Sequence, residues 1–184
     1  MTRNHLLPIL AASLLASCAS DNPWRKGLTR LEGASSAAVS GSDYGANADA
    51  TTYSLQANVA YFVSDIVALE ATAAWFDTDL DIDGLPDIEY TTATALLGAR
   101  VYFNEHLYAR ALGGRSSVRG DVLGVRDSDT AGTVQLGVGY EWKLVPNVTM
   151  TVGLQFTRTF DVQLVTNEDD LDTTAVVIGF AVWL

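Results

Sequence analysis

From Tyr53 to the end of the chain, apolar residues fall on alternate positions, and this two-residue period constrains the fold more than any other feature. Leu55, Ala57, Val59 and Tyr61 are separated by Gln56, Asn58 and Ala60. Val67, Leu69, Ala71, Ala73 and Trp75 alternate with Glu70 and Thr72, and Ala93 to Phe103 alternates with Thr94, Gly98 and Arg100. Further runs follow at Leu107–Ala111, Val134–Trp142, Val148–Phe156 and Val176–Leu184. A period of two places successive side chains on opposite faces of an extended strand, so these seven runs read as strands. An eighth, rich in Ser, Ala and Gly, is expected somewhere in Leu31–Ser42.

The connections alternate in length. Short turns are expected at Val63-Ser64-Asp65, Asn104-Glu105-His106 and Val145-Pro146-Asn147, with centres at 64, 105 and 146. Longer polar connections are expected near Tyr44–Ala50, Thr78–Glu89, Arg119–Thr130 and Asp161–Leu171. Setting the residues around each short turn opposite one another pairs Asn58 with Glu70, Arg100 with Arg110, and Glu141 with Thr151. Each pairing keeps the polar residues on one face, as a defined register requires. Tight turns on one edge and long loops on the other are the habit of transmembrane barrels.

Three features set the apolar face toward lipid. Glu70, Arg100, Arg110 and Glu141 lie mid-strand on the polar face, which suits a narrow charged lumen in which they pair. The strands are expected to run about 11 to 13 residues, enough to cross a bilayer tilted. Tyr61, Phe103, Tyr140 and Trp142 collect near the short turns, and Tyr53, Trp75 and Phe156 near the long loops, as two aromatic girdles. Past the leader no apolar run approaches the roughly 18 to 20 residues of a spanning helix. The expected fold is all-β: an eight-stranded antiparallel up-and-down transmembrane barrel over residues 31–184. Its lumen should be filled by side chains.

The N-terminus reads as a targeting segment. Met1–His5 is short and basic, Leu6–Ala16 is apolar, and Leu15-Ala16-Ser17-Cys18 holds the chain's one cysteine. Residues 1–17 are expected to be a signal peptide. Leu15–Cys18 resembles a lipobox, which implies cleavage before Cys18 and lipidation of its thiol; ordinary cleavage after Ser20 is the alternative. Residues 18–30 are expected to form a periplasmic linker, whose Trp24, Arg25, Lys26 and Arg30 read either as part of a disordered lead-in or as an interfacial patch.

The signal peptide, the eight-strand meander, the 41-residue hairpin spacing and the terminal strand Val176–Leu184 resemble the OmpA/OmpX/OmpW-type outer-membrane β-barrels. The resemblance covers residues 31–184. It implies a location in the bacterial outer membrane among its lipids and lipopolysaccharide, and insertion by the barrel-assembly machinery through the last strand. That strand usually ends in Phe or Trp in the family; here Phe180, Val182 and Trp183 are followed by Leu184.

Function is less constrained. The formal net charge of −11 disfavours nucleic acid as a partner. The histidines are His5, in the leader, and His106, in a short turn, so no base serves a Ser/His/acid triad of the kind found in lipid A deacylases, and no enzyme is expected. Asp79-Leu80-Asp81-Ile82-Asp83-Gly84 has the opening of a calcium loop, but position twelve is Tyr90 and not Glu; a solvated acidic loop is the plainer reading, weak Ca²⁺ binding the sharper one, and no other cofactor is expected. Arg115 and Arg158 fall on the apolar face near the long-loop end; a bulge at Gly113-Gly114 or a rim position exposed to water is the plainer reading, and lipopolysaccharide phosphates as partners the sharper one. The leading expectation is a non-enzymatic barrel with a structural, envelope-integrity or surface-interaction role. The alternatives are a narrow OmpW-like channel for small or hydrophobic solutes and a soluble lipocalin-like periplasmic lipoprotein.

Overall fold

In the computed structural model, which describes residues 26–39, 48–82, 88–122, 125–164 and 167–184, the chain is a closed eight-stranded barrel. The strands are β1 (Thr29–Val39), β2 (Ala48–Phe62), β3 (Val67–Ile82), β4 (Ile88–Tyr102), β5 (Leu107–Val122), β6 (Val125–Val145), β7 (Val148–Leu164) and β8 (Asn167–Trp183). Every neighbouring pair is antiparallel, and β1 closes the sheet against β8. The expected signal peptide (residues 1–17), Cys18, Trp24, Arg25 and Asp83 lie outside the described residues.

The register fixes the shape. Followed once around the barrel, Thr29 pairs with Tyr61, and then come Leu69, Ala99, Ala111, Leu136, Phe156, Thr174 and finally Val39, ten residues above the start. Ten residues of about 3.3 Å against eight strand spacings of about 4.8 Å give a tilt of about 40°. A line of paired residues therefore climbs a little over one residue per strand, and this climb must be subtracted when heights on different strands are compared.

The polarity is that of a barrel surrounded by lipid. Leu97, Leu69 and Val138 are 70%, 57% and 52% exposed, while Arg100 and Glu141 are 0% and 1% exposed. Tyr61 and Tyr53, eight residues apart on β2, both face outward. Eight residues span about 26 Å along a strand and about 20 Å of height at this tilt. That suits the thin bacterial outer membrane. Among the described residues no helix is long and apolar enough to cross a bilayer; the strands do so.

Two expectations change. The strands are 15–21 residues long from β2 onward, so much of the expected loops Thr78–Glu89, Arg119–Thr130 and Asp161–Leu171 is strand. The loss of apolar alternation marked where lipid ends, not where backbone pairing ends. In the first hairpin Glu70 pairs with Ala60, and Asn58 with Thr72, because the bend is centred on Asp65, one residue later than expected, and has the same length as the bend between β4 and β5. Ser64 Oγ accepts the backbone N–H of Val67 and holds this bend. The Arg100–Arg110 and Glu141–Thr151 pairings are as expected.

Candidate functional site: the barrel interior and its outer wall

The lumen is built in layers. At the short-turn end Phe62, Tyr102, Tyr108 and Trp183 pack with Ala60 and Ala68, and Leu28 leans on them. Their rings lie 5.2–5.6 Å apart in tilted contacts. Each comes from the polar-parity face of its strand, and none was apparent as a plug from the sequence, where aromatic residues signalled only the girdles.

Above this plug lies a cluster of three arginines and three glutamates. Arg100 Nε is 2.6 Å from Glu70 Oε2, Arg100 Nη2 is 3.0 Å from Glu32 Oε2, and Arg100 Nη1 is 3.2 Å from Glu141 Oε1. Arg110 Nη1 donates to Glu70 Oε1 at 2.9 Å, and Arg110 Nη2 donates to Gln56 and Gln155. Arg30 closes the set, 2.6 Å from Glu32 and 2.7 Å from Glu141. All six side chains are buried, and their formal charges sum to zero. The facing pair Arg100 and Arg110 thus avoids repulsion by sharing Glu70, while Glu141 serves Arg100 and Arg30.

Arg30 and Glu32 were not among the residues expected here. Arg30 was placed in an interfacial linker, but strand pairing begins at Thr29, and the even parity of β1 turns Arg30, Glu32, Ala34 and Ser36 inward. Glu32 accepts hydrogen bonds from Arg30, Asn58, Arg100 and Thr151, which tie β1 to β2, β4 and β7. The shared parity of Arg30 and Glu32 was the available signal; the small residues that follow hid it.

Inward glycines make room for the long side chains. A Cβ on Gly139 would lie 2.5 Å from Tyr108 Cζ, and one on Gly137 3.2 Å from Arg110 Cγ. Gly139 pairs with Tyr108, and Gly137 with Arg110, so the ring and the guanidinium stem lie flat over their cross-strand partners. The ring of Tyr108 also carries the Arg100 guanidinium, 4.3 Å from its centroid.

Farther up, the charges give way to hydroxyls. Thr94, Ser116, Thr133 and Thr159 form one chain across β4–β7, with links of 2.7, 2.6 and 3.2 Å. Ser36 bonds Ser54, and Thr52 bonds Thr78. Val118, Ala131 and Val162, with Tyr90 and Leu171 against them, then form an apolar cluster on the β4–β8 side of the upper lumen.

The remaining candidates lie outside the lumen. Asp79 and Asp81 belong to β3, paired with Thr51 and Asp49, and the strand continues to Ile82. Among the described residues no three His, Cys, Asp or Glu side chains are grouped to hold a metal ion. His106 sits in the bend between β4 and β5, where its ring stacks on Tyr140 and its Nδ1 is 2.9 Å from the Glu141 carbonyl oxygen. Arg115 is exposed on the outer wall. Arg158 lies 3.6 Å from Asp172 and over the Phe160 ring.

Similar folds have been solved. Ail, the attachment invasion locus protein of Yersinia pestis, is 12% identical with a TM-score of 0.59, over 86% of this chain and 99% of that one. Neisserial surface protein A is 16% identical with a TM-score of 0.61, over 85% and 99%. The outer membrane protein OprG of Pseudomonas aeruginosa is 14% identical with a TM-score of 0.53, over 87% and 97%. At these identities the likeness is one of fold. No curated protein matches the sequence. The profile of the outer membrane protein beta-barrel domain family, however, matches residues 6–182, nearly the whole chain. An apolar wall around a charged lumen is what that family's name requires, and this chain belongs to it as a barrel of the bacterial outer membrane.

Proposed function

We propose that this protein is a non-conducting, non-enzymatic barrel that acts through its outer and extracellular surfaces, in envelope integrity or surface contact. One observation carries the reading: the lumen is filled. An ion entering from below meets the Phe62–Trp183 plug, then six paired charges, then the Val118–Val162 cluster. Opening a path would separate buried ion pairs, which costs about 3–5 kcal/mol for each pair broken. His106, tied to the Glu141 backbone at the short-turn rim, lies far from any substrate in the outer leaflet. Two of the similar structures carry surface roles in their names, an attachment invasion locus protein and a surface protein, and this suits the same reading. Insertion through the barrel-assembly machinery belongs to the proposal, with Phe180, Val182 and Leu184 forming the outward row of the last strand.

The test is single-channel recording in planar bilayers. Refolded protein is expected to give no stable conducting state. Regular, reproducible conductance steps from a homogeneous folded sample would overturn the reading in favour of a channel.

A further inference from the structure

The outer wall carries a shallow apolar groove of about 680 Å³ across β4–β7. Ala109 and Ala111 form its floor, Leu136, Val138 and Leu154 one side, and Phe103 its foot at the lower girdle. Continuing up the outward row of β5, Ala111 is followed by Gly113 and then Arg115. Arg115 pairs across the sheet with Gly132, and on the far side of β6 stand Arg158 and Phe160 of β7. A Cβ on Gly132 would meet nothing within 4 Å, so the wall between the two guanidiniums is notched. The guanidiniums are carried two strands apart, about 10 Å across the sheet. Once the climb of the register is removed, Arg115 and Arg158 stand level with Tyr53 and Trp75 in the upper girdle.

Arg115 makes no ion pair or hydrogen bond with the described residues, in contrast to the three lumen arginines. At this interfacial depth a guanidinium is tolerated, and it gains most where an anion faces it. The nearby carboxylate Asp77 is on β3 and is engaged by Trp75 Nε1 and Thr91. The anion present at that depth in the outer leaflet is lipid phosphate, which guanidinium binds in a bidentate fashion.

From this we infer that the β4–β7 wall is a lipopolysaccharide site: a lipid A phosphate sits on Arg115 in the Gly132 notch, and an acyl chain lies in the groove below. Arg158, held by Asp172, flanks the same notch. The phosphate-bearing lipid of the outer leaflet is lipopolysaccharide, whose lipid A sets a phosphate above acyl chains, as Arg115 stands above the groove. The inference rests on the outer surface being the working surface, and conductance does not enter its test.

The experiment uses full-length protein folded in detergent and titrated with purified lipid A, bound copies being counted by native mass spectrometry. Phosphatidylglycerol is titrated in parallel. Arg115→Ala is expected to weaken lipid A binding about tenfold or more, the scale of one lost charge-assisted pair. Arg115→Lys should fall between that variant and the natural protein. Gly132→Leu, which fills the notch without changing charge, should weaken binding as Arg115→Ala does. Both positions are exposed with open space around them, and a cold-versus-boiled gel shift verifies that each variant is folded. Unchanged lipid A affinity in Arg115→Ala and Gly132→Leu would overturn the site. Equal affinity for phosphatidylglycerol would overturn its assignment to lipopolysaccharide.

Discussion

Removing the Arg100 guanidinium tests how the barrel is held from within. Arg100 is fully buried, and it touches Glu70, Glu32 and Glu141, one carboxylate from each of β3, β1 and β6. In Arg100→Met the side-chain volume is largely kept, but three carboxylates remain against Arg30 and Arg110. Removing one partner from a buried ion pair costs about 3–5 kcal/mol, which is a factor of about 10² to 10³·⁵ in the folding equilibrium. Arg100→Met/Glu141→Leu restores equal numbers and leaves Arg30 against Glu32 and Arg110 against Glu70. A charge-balanced apolar replacement is often neutral, so the double variant should recover much of the loss. The assay is urea unfolding and refolding in lipid vesicles, followed by tryptophan fluorescence and by gel mobility with and without boiling. The reasoning fails if Arg100→Met is within about 1 kcal/mol of the natural protein, well below the cost of a broken buried pair. It also fails if the double variant is the sum of its single changes, because partners in one network must couple.

Other outcomes follow from the same geometry. Leu97→Arg places a charge on the lipid-facing wall at mid-height and should cost about 2–4 kcal/mol in vesicles, while Thr91→Arg, above the upper girdle, should cost about 0–1 kcal/mol. Equal costs at the two positions would contradict the placement of the bilayer. Gly139→Ala drives a methyl into the ring of Tyr108 and should cost about 1–3 kcal/mol as overpacking. The penalty should largely disappear in a Tyr108→Ala background, and a penalty that persists there would mean that the backbone, not the ring, resists the methyl.

Much of this architecture was legible because a membrane barrel writes two solvents into each strand. Leu69 beside Glu70, and Val101 beside Arg100, state which face meets lipid, and the girdle aromatics state where lipid stops. The strand ends were not legible on the same principle. Above Trp75 both faces of β3 meet polar surroundings, so Asp77, Thr78 and Asp79 look like loop although pairing runs on to Ile82. The lumen was half legible. Arg100, Arg110, Glu70 and Glu141 stand out because their outward neighbours are apolar. Arg30 and Glu32 do not, since Gly33, Ser35 and the alanines of β1 carry too little contrast. Tyr102 and Trp183 were masked differently: an aromatic near a strand end suits a girdle as well as a plug, and only its parity distinguishes the two.

The placement of β1 shows why the charges and the closure of the barrel are one problem. β1 is the shortest strand and supplies mostly small side chains, so its outer face offers little grip on lipid. Its two long residues, Arg30 and Glu32, point inward and reach the neighbouring β2 and also β4, β6 and β7, strands that do not pair with β1. In water this grip would be weak, because exposed ion pairs contribute little. Inside a sealed lumen the same contacts are strong, but only if every charge finds a counterpart. The aromatic plug below and the buried polar layers around the cluster keep its charges from bulk water, and this gives Glu32 its hold on β1. A wider or wetter lumen would weaken that hold, so the contacts that fill the barrel are also the ones that keep β1 in it.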